Sequence, residues 1–136
     1  MSRLARSDRP PASEPPPRAH VRDRLGEIAH GVLRVGAGLL FLSHGLQKLF
    51  GLFGGDVVPL ASRMGLAGVL ELVGGALLVL GLFTRPVAIV LAGEMLVAYA
   101  IAHLPRSLWP LQNGGEPALL FALIFAFLAL APRWRG

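Results

Sequence analysis

Residues 34–50 read RVGAGLLFLSHGLQKLF, an almost wholly apolar run that carries an arginine at its start, a histidine further on and a lysine near its end. If the run is helical, at roughly 100° per residue, then His30, Arg34, Ala37, Phe41, His44 and Lys48 share one face. The remaining positions, Leu39, Leu40, Leu42, Leu46 and Leu49, make a hydrocarbon-like surface. A charge in such a segment is costly against lipid, so this polar stripe is expected to face other helices.

The rest of the chain repeats the pattern of apolar blocks. Of the 136 residues, 54% are hydrophobic and only 15% charged, with a mean hydropathy of +0.61, too apolar for an ordinary soluble domain. The blocks fall at residues 28–50, 65–82, 86–104 and 117–132. Each is close to the roughly 17–25 residues that cross a bilayer core of about 30 Å. The expected fold is therefore all-α, a bundle of four transmembrane helices over residues 27–136.

The chain has no cysteine, which excludes disulfides, a thiol redox centre and Cys-ligated metal. The net charge of +5 does not point to nucleic acid, because six of the thirteen Lys/Arg precede Gly26 and adjoin a membrane span. Residues 1–26 hold five closely spaced prolines and few large apolar side chains, and are expected to form a disordered basic tail. Without an apolar signal core in that tail, the first span serves as the insertion signal. Arginines 18, 22, 24, 85, 133 and 135 flank one end of the spans, and Lys48, Arg63 and Arg106 the other. The positive-inside rule then places both termini in the cytoplasm, in a cell (inner or plasma) membrane.

A short link through Thr84 and Arg85 to Pro86 predicts a tight hairpin of spans two and three, and Gly68, Gly74 and Gly75 suit close helix packing. The loop 51–64 is expected to lie along the interface through Phe50, Phe53 and Val57, and Arg133, Trp134 and Arg135 to anchor the last span. A rise of about 1.5 Å per residue places Arg34 roughly 9 Å and Glu94 roughly 12 Å from the cytoplasmic end, which suggests an intramembrane Arg34–Glu94 ion pair. His44, Glu71 and His103 fall roughly 21–25 Å deep, with Lys48 and Glu116 near the outer boundary. These groups suit a quinone head or a proton path. The bland alternative is that His44 pairs with Glu71 and His103 caps a helix end. A regular helix would point Glu94 and His103, nine residues apart, in opposite directions. A bis-histidine haem or another metal through His44 and His103 is open in principle, but two histidines are a thin signal and neither is expected.

Residues 34–50, the segment E-L-V-G-G-A-L-L-V-L-G-L-F-T-R-P (71–86), Glu94, His103 and the N-G-G-E run of residues 113–116 together resemble the DoxX family of membrane proteins. The resemblance covers roughly residues 30–130. It implies a four-helix membrane bundle and, for some members, a small-subunit role in a quinone-linked oxidoreductase beside a larger subunit. Many members carry a Gly-rich stretch followed by Ser-Leu-Asp where this chain reads A-P-R-W-R-G. The functional expectation is a small or accessory component of such an enzyme. The alternatives are a non-catalytic scaffold, alone or as a homo-oligomer, and a small transporter or metal-handling protein, against which stands the lack of an inverted repeat.

Overall fold

The computed structural model describes residues 17–132. The expected tail over residues 1–16 and the Arg133–Trp134–Arg135 anchor lie outside the described residues. Five helices follow in order: α1 (Pro17–Phe50), α2 (Arg63–Leu80), α3 (Thr84–Ala98), the short α4 (Pro110–Asn113) and α5 (Glu116–Leu130). Helices α1, α2 and α3 with its continuation to His103 are each long and apolar enough to cross a membrane. Helix α5 is shorter, and its sequence EPALLFALIFAFLAL is apolar after the first residue. The protein is a helical membrane bundle.

Helix α1 begins ten residues before Glu27, so residues 17–26 are helical rather than part of an unstructured tail. Proline at the first helical position is compatible with this, since its missing N–H has no partner there in any case. Phe50 at the end of α1 and Phe53 and Val57 of the following loop are all exposed. Ser62 starts α2, its Oγ accepting the Gly65 N–H at 3.0 Å.

Packing is tightest between α1 and α2 and between α3 and α5. The hairpin expected from the short link at Phe83–Thr84–Arg85 does form, with the link at Gly81–Phe83 and Thr84 and Arg85 already in α3, but α2 and α3 meet less extensively than either of those pairs. Glycines explain the difference. A Cβ on Gly45 would lie 2.5 Å from the Leu72 nitrogen, and one on Gly75 would lie 2.5 Å from the Leu42 nitrogen. The backbones of α1 and α2 thus touch directly, which in lipid replaces the missing hydrophobic drive with dispersion contact. Between α2 and α3 the approach is wider, because the Leu91 side chain fills the space over Gly74.

The core is completed by Phe41 of α1, whose ring meets Phe125 at 4.6 Å and Phe121 at 4.8 Å, both edge-on. Leu78, Ala88, Leu91 and Leu128 pack round this cluster. Ala37 and Phe41 of the α1 stripe are therefore core residues, and they separate its two polar ends.

A polar cleft at the loop end of the bundle

Beyond Phe41, towards the C-terminal end of α1, a cleft of about 700 Å³ opens between α1, α2, α3 and α5. Its walls are mainly aliphatic and aromatic, and include Leu70, Val97, Ile101 and Phe121. Into it come His44 and Lys48 from α1, Glu71 from α2, and Glu94 and His103 from α3 and its continuation.

Lys48 Nζ donates to Glu71 Oε1 at 2.5 Å, the one ion pair among the described residues. Glu71 is 3% exposed and the Lys48 side chain 19%, so Lys48 brings the charge that a buried carboxylate requires. Glu71 therefore pairs with Lys48 rather than with His44. The pair leaves three carboxylate oxygens over: Glu71 Oε2 and both oxygens of Glu94 are buried with no hydrogen-bond partner among the described residues.

The expected Arg34–Glu94 pair is not formed. Arg34 Nη1 instead donates to the Leu78 carbonyl oxygen, and to that of Val79 at 3.3 Å. The last carbonyls of a helix lack intrahelical partners and carry the negative end of its dipole, so a cation from a neighbouring helix is held there. Glu94 lines the cleft described above, with the groups that depth counting places nearer the opposite surface.

Glu94 and His103 line the same cleft because α3 is not regular beyond Ala98. Residues Tyr99–His103 form a π turn, closed by the Leu104 N–H donating to the Tyr99 carbonyl at 3.0 Å. A π turn acts as one inserted residue, so the nine-residue separation becomes effectively eight. The two side chains move from roughly 180° apart to roughly 80° apart.

The same turn builds a cap. Asn113, only 2% exposed, donates through Nδ2 to the Tyr99 hydroxyl at 3.1 Å and to the Ser107 carbonyl at 2.8 Å. Its Oδ1 accepts the Gly115 N–H at 2.7 Å. Its backbone carbonyl lies 3.1 Å from His103 Nδ1, and since a carbonyl only accepts, Nδ1 carries the proton. That leaves Nε2 as the nitrogen free for a ligand. Asn113 had only a place in a motif at the level of sequence. Its position between Pro110 and two glycines was the available sign of a side chain that substitutes for missing backbone partners.

Two other candidates sit apart. His44 is exposed at the cleft mouth, edge-on to Phe41 at 6.2 Å and to Phe121 at 6.4 Å. Glu116 is exposed at the first turn of α5 and does not line the cleft. Among the described residues no group of three or more His, Asp or Glu side chains has a metal-binding arrangement.

The bundle and its cleft define a small helical membrane protein with charged groups gathered inside its helices. The chain belongs to the DoxX family, whose profile matches residues 30–104. It is also 37% identical over 106 residues to an uncharacterized protein of Haemophilus influenzae, covering 73% of this chain and 79% of that one. No solved structure matches it.

Proposed function

We propose that this chain is a small, quinone-binding component of a membrane oxidoreductase, with the cleft holding the quinone or quinol head. The observation that carries the reading is the Glu94 carboxylate, buried without a partner among the described residues against an apolar cleft inside a membrane protein. An unpartnered buried carboxylate costs several kcal/mol, a cost that a ligand donating to it removes. A quinol hydroxyl is such a donor, its ring suits the aliphatic and aromatic walls, and its isoprenoid tail suits the surrounding lipid. With Nδ1 protonated, His103 Nε2 then accepts from the second hydroxyl of a quinol head, and His44 stands at the entrance. Lys48 and Glu71 keep a charged pair beside the head and connect it to the loop end of the bundle.

With both termini cytoplasmic, the cleft lies towards the outer face of the plasma membrane. In this reading the electrons exchanged with the head pass to or from a larger partner subunit. A second reading, a scaffold whose polar residues only hold the helices, is favoured by the Lys48–Glu71 pair, which satisfies two charges without a ligand.

Titration of the detergent-purified protein with short-chain ubiquinol and menaquinol analogues separates the two. Saturable binding, weakened at least about tenfold in Glu94→Gln and in His44→Ala while both variants remain helical, supports the quinone reading. Indifference of the wild-type protein to every analogue supports the scaffold.

A further inference from the structure

The α1 stripe has a second polar end. There, a separate cleft of about 900 Å³ opens between α1, the α2–α3 turn and the end of α5. His30 and Arg34 of α1 and Arg85 of α3 line it, and Glu27 is the one acid among its described lining residues. We propose that this cleft binds a phosphate anion, carried either by the headgroup of an anionic phospholipid or by free phosphate. The proposal is independent of the quinone reading.

Two observations support it. First, neither arginine has a carboxylate within ion-pairing distance among the described residues, where Lys48–Glu71 is the only salt bridge. Two guanidinium groups at the end of a membrane bundle call for a counter-ion, and among the described residues Glu27, the one acid lining the cleft, pairs with neither. Second, both are already held in place. Arg34 Nη1 is fixed on the carbonyls of Leu78 and Val79 in the last turn of α2. Arg85 Nη2 donates to the Ala131 carbonyl at 2.9 Å, at the end of α5. A guanidinium has five N–H donors, so each arginine keeps further donors while its orientation is set by the first contacts.

The arrangement therefore presents preorganised donors from two helices, and phosphate is the anion whose several oxygens suit such a fork. Basic pockets between spans at a cytoplasmic surface are where anionic headgroups enter membrane proteins. The size of the cleft leaves room for a headgroup beside Phe83 and Pro86, whose exposed surfaces suit the acyl chains.

The full-length protein in detergent, probed by native mass spectrometry with dioleoyl-phosphatidylglycerol and dioleoyl-phosphatidylcholine, tests the proposal. Phosphatidylglycerol is expected to bind at least about tenfold more tightly than phosphatidylcholine. Arg85→Gln should reduce this preference to about threefold or less, and Glu27→Gln should increase it, because it removes the opposing charge. The opposite signs distinguish a binding site from simple misfolding, and Glu27→Gln remains decisive if Arg85→Gln does not fold. Displacement of the lipid by millimolar inorganic phosphate would assign the anion to free phosphate, and resistance to it would assign it to the headgroup. Equal binding of the two lipids, or a preference that neither substitution alters, would overturn the proposal.

Discussion

Lys48 of α1 and Glu71 of α2 meet at 2.5 Å within a membrane bundle, and the carboxylate of Glu94 lines the same cleft without a partner among the described residues. Arg63 also lines the cleft, but Lys48–Glu71 is the one ion pair there among the described residues. The unpartnered Glu94 oxygens separate this end of the protein from a simple helical bundle, in which buried charges would be matched.

The pair itself should be strongly coupled. Removing one member leaves the other charge buried, so Lys48→Gln and Glu71→Gln are each expected to destabilise the fold by about 3 kcal/mol. The double variant should lose less than the sum, with a coupling of at least about 1 kcal/mol, measured by unfolding from detergent micelles. Strict additivity would show that the contact carries no net energy.

Arg34 and Glu94 should behave as strangers. Arg34→Ala frees the carbonyls of Leu78 and Val79 and is expected to cost about 1–3 kcal/mol. Glu94→Gln should not offset this loss, since the two residues line different clefts. Partial rescue in the double variant would restore the ion pair that depth counting suggests.

The α1–α2 contact depends on backbone approach. Gly45→Val and Gly75→Val would place side-chain atoms where the partner's backbone already lies, and each should reduce the yield of folded protein several-fold. Gly36 has no atom within 4 Å of an added Cβ, so Gly36→Ala is expected to be neutral or slightly stabilising. Similar losses in all three would indicate a general intolerance of α1 to substitution.

Asn113→Ala should loosen the cap over the cleft. It leaves the Tyr99 hydroxyl, the Ser107 carbonyl and the Gly115 N–H short of a partner, at a cost of about 2–3 kcal/mol. Faster hydrogen exchange at residues 99–115, with α1 and α2 unaffected, is the expected signature. Unchanged exchange there would remove Asn113 from any structural role.

The sequence made the membrane bundle legible because apolar blocks of spanning length leave few other folds. The face of α1 that carries His30, Arg34, Phe41 and Lys48 was legible for the same reason, since helical spacing alone aligns them. Three features were not. The Y-A-I-A-H segment contains neither proline nor glycine, so nothing in it announces the π turn that brings His103 to the side of Glu94. Depth counting compares distances along separate helices and is blind to the carbonyls at the end of α2, which are the groups that take Arg34. The prolines before residue 18 suggested an unstructured tail, whereas Pro17 occupies the first position of a helix, where its geometry is acceptable.

The central claim, that the cleft around Glu94 holds a quinone head, is tested most directly by photolabelling. The purified protein would be irradiated with an azido-quinone and the adducts mapped by peptide mass spectrometry. The account predicts labelling confined to residues 41–48 and 94–103, suppressed by excess unlabelled quinol and lost in Glu94→Gln. Adducts spread over the lipid-facing surfaces of α1 and α5, and insensitive to competing quinol, would contradict it.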